Sequence, residues 1–169
     1  MARWPELEEW MALVDASIEP IAHRPVDLTD PDWERRMREG PDPLDEAGVR
    51  PEAESVTREL IGLYEHGDER ERAAVRALLD RHPSFRWAAG PPLEPTAEGF
   101  RRCLLWMSAV DQGSDTRDEL LTLWDYRAKA RAAGVDPRPV LLEVAELSSA
   151  EDRFGMGSMR DILRDAAGE

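Results

Sequence analysis

Thirteen prolines and eleven glycines cut this 169-residue chain into short lengths. Between those breaks the apolar residues recur at spacings of three and four. Such a period places them on one stripe of an α-helix, whereas a half-buried strand needs strict alternation. No stretch sustains that alternation, so the sequence predicts an all-α protein of six to eight helices with no sheet.

The first stripe is Leu7, Trp10, Met11 and Val14, opened by Pro5, with its end expected at Pro20 and Pro25. Thr29 or Asp30 ahead of Pro31 signals a short charged helix over 32–39 whose large apolar residues are Trp33 and Met37. Residues 40–51 hold three prolines and two glycines, the strongest linker composition in the chain. The boundary is expected there, between an N-terminal helical extension (1–45) and a main helical body (52–169) that stays folded without it. In the body, Val56, Leu60, Leu63 and Tyr64 form a stripe ended by Gly67, and Asp68 with Glu71 makes a capping box for a helix carrying Ala74, Val75, Leu78 and Leu79. Phe85 and Trp87 fall in a connector before Gly90-Pro91-Pro92. Thr96 caps a helix running to about Val110 with Phe100, Cys103, Leu104, Leu105, Trp106 and Met107, the most buried of the set. Ser114 or Asp115 starts the next, with Leu120, Leu121, Trp124 and Ala128, ended by Gly134. Asp136-Pro137 launches 139–147, and Ser158 with Asp161 caps a last short helix through Ala166.

The run Leu60-Ile61-Gly62-Leu63-Tyr64-Glu65-His66-Gly67-Asp68-Glu69-Arg70-Glu71-Arg72, continued to Leu79, resembles the helix, Gly-Asp turn and Arg-rich amphipathic helix of bacterial HEAT-like repeat proteins. Residues 115–147 resemble it weakly, and Glu59–Glu65 is echoed by Glu119–Asp125. The resemblance implies αα-hairpins stacked in a bundle or a short HEAT-like array, and an interaction surface rather than a reaction.

With 36 acidic against 22 basic side chains, the formal charge of -14 repels phosphate backbones and anionic lipid headgroups. The arginines at 35, 36 and 38, at 70 and 72, and at 101 and 102 are interleaved with acids, which reads as i,i+4 pairing on solvated faces. Direct nucleic-acid binding is thereby discounted. The longest uncharged, mostly apolar run, Cys103–Val110, is far short of the roughly 20 residues that span a bilayer. The segment Met1–Glu6 lacks the apolar core of a secretory signal, and a lone cysteine allows no intrachain disulfide. A cytoplasmic, bacterial protein is expected; Lys129, the single lysine, fits a GC-rich coding bias.

Candidate chemistry is sparse. His66 and His82 fall at helix C-termini, where an imidazole meets the last carbonyls, and neither has the spacing of a metal pair. His23 lies between prolines. Cys103 sits on an apolar stripe and reads as a core residue. Asp111, Asp115 and Asp118 lack the spacing of a calcium loop, so no metal site is expected. The turn Phe154–Asp161 feeds a helix N-terminus, making Gly155, Gly157, Ser158 and Arg160 anion-binding candidates; it is neither a P-loop nor a dinucleotide fingerprint, and no cofactor is expected. Trp33 and Trp87 are candidate partner anchors. Glu69 and Glu71 are candidate partner-steering acids, whose neutralisation is expected to leave thermal stability nearly unchanged.

The leading functional expectation is a non-enzymatic acidic helical adaptor or inhibitor that binds a protein partner, a basic one above all. The alternative is an all-α enzyme or small-molecule-binding domain whose cleft is lined by carboxylates, arginines and tryptophans such as Trp106 and Trp124, beside Met107.

Overall fold

The computed structural model describes residues 4–110, 116–152, 155 and 157–168. Those residues form ten α-helices and no strand. In chain order they are α1 (Trp4–Ala22), α2 (Trp33–Glu39), α3 (Pro43–Glu46), α4 (Arg50–His66), α5 (Glu69–Arg81), α6 (Pro83–Ala88), α7 (Ala97–Val110), α8 (Thr116–Ala132), α9 (Pro137–Leu147) and α10 (Met159–Ala167). The count exceeds the expected six to eight because of α3 and α6, which lie where the sequence reads as linker and connector. Each is too short to show a period of 3.6 and each begins on proline, whose fixed φ suits the first turn. Leu44 in α3 and Phe85 in α6 are nevertheless fully buried.

Local signals explain most of the boundaries. Asp68 accepts from the Glu71 amide while the Glu71 carboxylate accepts from the Asp68 amide, so both halves of the capping box are present at α5. Gly67, between α4 and α5, leaves no room for a side chain, since a Cβ there would lie 2.8 Å from that of Glu71. Thr96 Oγ1 accepts from the Gly99 amide at α7, Asp136 caps α9 and Ser158 caps α10. The first helix differs from expectation: it continues through Pro20 to Ala22. Proline so close to a helix end removes only one ladder hydrogen bond, a small loss in the final turn.

α7 is the hub and packs against α4, α5, α8 and α9. Phe100, Leu104 and Leu105 are buried on it, as the sequence predicts, together with Cys103, Trp106, Ser108 and Ala109. Where α4, α7 and α9 meet, three buried hydroxyls form a directed chain. Ser148 Oγ donates to Val144 O at 2.7 Å, so across 2.6 Å it accepts from Ser108 Oγ. That spends the single proton of Ser108, leaving Tyr64 as the donor to Ser108 at 2.8 Å, with Leu147 O at 3.2 Å a second acceptor. Arg101, also on α7, spans the same junction, one terminal nitrogen on Glu65 of α4 and the other on Glu143 of α9. Its pairing is therefore tertiary, not the i,i+4 pairing read from sequence, and both bonds raise its pKa against the opposing effect of burial.

The apolar packing does not stop at residues 40–51. Leu7, Met11, Val14 and Ile18 of α1 and Leu44 of α3 join the same core cluster as Tyr64, Leu79 and Phe85. α1 packs against α6, where Trp10 and Phe85 meet edge to face at 5.8 Å and Asp15 accepts from the Phe85 amide. Each fully buried aliphatic side chain contributes about 1.5–3 kcal/mol, and a domain holds only about 5–15 kcal/mol in all. We expect deletion of residues 1–45 to abolish cooperative thermal unfolding, followed by circular dichroism; a sharp transition in the truncated chain would restore the boundary at 40–51.

Candidate functional site

Among the described residues, two places combine charged side chains with apolar ones. The first is the outer side of the packed α1–α6 pair. α6 is pinned inward by Phe85, by the Asp15 bond to its amide and by the Arg86–Asp80 ion pair, and it holds Trp87 outward at 64% exposed. Leu13 of α1 is 68% exposed. Of the two tryptophans proposed as anchors, Trp87 is thus open to solvent, whereas Trp33 is half-buried.

The second is a cleft of ≈ 170 Å³ between α3, the first half of α4, the connector 89–94 and α7. Arg50, Glu54 and Arg58, at i, i+4 and i+8, bring one face of α4 to it, and Arg102 of α7 and Glu94 face them. Leu44, Ile61 and the Pro91-Pro92 wall supply the apolar part. Thr57 Oγ1 donates to Ala89 O at 3.0 Å and ties the connector to α4. The carbonyls of Pro91 and Pro92 both accept from the Cys103 thiol, on α7. Cys103 is 2% exposed and burial pushes its thiol up to about 11, so it is a protonated core donor.

The remaining sequence candidates are committed to structural contacts. Glu71 belongs to the capping box, and Glu69 pairs with Arg72 and with Arg76, itself buried. Both acids are thus engaged within α5, Glu71 in its cap and Glu69 in two ion pairs. Arg160 donates to Ala145 O and Ser148 O at the end of α9, and Ser158 exchanges hydrogen bonds with Asp161. Gly155 and Gly157 adopt positive φ, and Asp152 accepts from the Gly155 amide. Phe154 and Asp111–Asp115 lie outside the described residues. Trp106 is buried behind Gly90, Met107 is half-buried and Trp124 is 56% exposed. His66 and His23 are exposed. No group of three metal-ligating side chains occurs among the described residues, and no described helix is long and apolar enough to cross a membrane.

The arginine cleft was not read from the sequence. The 50-54-58 spacing was visible, but Arg102 reads locally as one more solvated charge, and only folding brings it opposite α4. No protein-family model, curated protein or solved structure matches the chain.

One buried group titrates within reach of ordinary buffers. His82 ends α5 and begins α6; it is 7% exposed, and its Nε2 has no hydrogen-bond partner. Burial lowers its pKa from 6.5; Asp15 raises it, Arg81 lowers it and Glu8 raises it, leaving a net decrease. With the folded pKa below the unfolded one, the unfolded chain binds the extra proton between them, so this stability is complete above about pH 6.5 and is lost as pH falls towards the folded value. We expect the thermal midpoint of the wild type to fall from about pH 7.5 to about pH 5.5, and His82→Leu to flatten that slope. Parallel curves would show that His82 does not set it.

Proposed function

We propose that the chain is a non-enzymatic helical adaptor or inhibitor that binds a basic protein partner through the α1–α6 pair. One observation carries the reading. α1 bears five carboxylates, Glu6, Glu8, Glu9, Asp15 and Glu19, with no Lys or Arg, and an exposed Leu13, and α6, packed against it, carries an exposed Trp87. Interfaces draw most of their energy from a few apolar or aromatic anchors, while surrounding charges steer approach and choose the partner. A tryptophan already held outward by a pinned helix loses little freedom on binding. In this reading the α4–α5 hairpin belongs to a short HEAT-like stack serving as scaffold, in the cytoplasm of a bacterium. Steering acids are exposed ones of α1 such as Glu9 and Glu19, rather than Glu69 and Glu71, which hold α5 together, or Asp15 and Glu8, which bond Phe85 and Arg81.

The test is affinity capture from the native cell on the immobilised chain, comparing wild type with the Leu13→Ser/Trp87→Ala variant. Both positions are exposed, so the variant should keep its thermal midpoint. We expect wild type to recover a protein of net positive charge, the variant to lose it, and recovery to fall between about 0.05 and 0.5 M salt as the Debye length shrinks from more than about 10 Å to a few ångströms. Equal recovery by the variant, or no captured protein, would overturn the proposal.

A further inference from the structure

The arginine cleft holds charges that its own network leaves unspent. Arg50 is satisfied by Asp42 and Asp45, which accept from two of its nitrogens. Glu94 accepts from Arg102 Nη2 at 2.7 Å, but Arg102 Nε is buried without an acceptor. Among the described residues Glu54 has only Arg50 as an ion-pair partner, at 3.9 Å, beyond hydrogen-bond reach. Arg58 has neither an ion pair nor a hydrogen bond among the described residues. Glu at i and Arg at i+4 is the favourable order for a helical pair. Here both line the cleft and remain apart.

We propose that this cleft binds a small zwitterion, an α-amino acid with an apolar side chain. The carboxylate meets Arg58, whose planar fork donates to both of its oxygens, with the Arg102 guanidinium adding positive charge beside it. The ammonium meets Glu54. The side chain lies against Leu44, Ile61 and the rings of Pro91 and Pro92. That wall has no N–H to offer, since proline lacks one, and its carbonyls are engaged by Cys103. The chain's charge selects against other ligands of this size. With -14 overall and four carboxylates, Asp42, Asp45, Glu54 and Glu94, in the same network, a phosphate dianion is repelled, whereas a zwitterion carries no net charge into the field. An uncharged apolar molecule would cover Arg58 and Glu54 without replacing their water.

The site shares no residue with the α1–α6 surface, so either proposal can fail alone. The experiment is a titration of the full chain, followed by NMR at the α4 amides, the Arg side-chain Nε–H signals and the Trp106 indole, which stands behind Gly90. Three probes are compared to about 20 mM, a range suited to a ligand of few atoms: L-leucine, 4-methylpentanoate, which lacks the ammonium, and leucinamide, which lacks the carboxylate. Leucine is expected to shift these signals saturably, and each truncated probe to bind about tenfold more weakly or worse, the worth of one charged hydrogen bond. Arg58→Gln should lose leucine and equalise it with leucinamide; Glu54→Gln should equalise it with 4-methylpentanoate. Both side chains are exposed, so unchanged thermal midpoints confirm that the variants are folded. No saturable shift, shifts away from the cleft, or leucine binding no better than either truncated probe would overturn the proposal.

Discussion

The junction of α4, α7 and α9 is the point on which the rest of the structure depends, and a chain of buried hydroxyls holds it. Tyr64, Ser108 and Ser148 are almost entirely withdrawn from water, at 0%, 0% and 2% exposed. A buried hydroxyl without a partner costs about 1–3 kcal/mol, so the three helices must meet where each oxygen finds another. Apolar packing alone tolerates small slips of one helix along its neighbour; a chain with three protons and a fixed terminus at Val144 O does not. Arg101 adds a second fastening across the same helices from the solvent side, through Glu65 and Glu143.

From that junction the other parts take their places. α7 also carries Arg102 and Cys103, so fixing α7 against α4 sets the separation of the two charged walls of the cleft. The connector between them is fastened twice, by Thr57 to Ala89 O and by Cys103 to the proline carbonyls. α5 then runs back along α4 and α7 and delivers α6, whose Phe85 turns in against Trp10 and whose Trp87 turns out. The two proposed binding places therefore rest on one core, which also includes the side chains of α1.

What could be read from the sequence was what local geometry decides. The caps at Asp68, Thr96, Asp136 and Ser158 each involve a residue and an amide two or three positions ahead, and the stripe of α7 follows from its period alone. Two kinds of feature escaped. α3 and α6 are four and six residues long, too short for a period to show, so proline and glycine around them look like linker. Partners distant in sequence were the other. Arg101 reaches residues 36 and 42 positions away, and the cleft gathers four separate segments. Glu71, by contrast, was recognised as a cap and also proposed as a free surface acid; its hydrogen bond to the Asp68 amide decides for the cap.

The direct test of the hydroxyl chain is a double-mutant cycle on Tyr64→Phe and Ser148→Ala by equilibrium denaturation. The two side chains make no direct hydrogen bond and both bond Ser108, so a coupling separates a connected chain from three independent hydrogen bonds. Each single change should cost about 1–2 kcal/mol, and the pair should depart from additivity by about 0.5–1.5 kcal/mol, the range for residues in one network. Additivity within about 0.3 kcal/mol would contradict it and leave apolar packing as what positions α7.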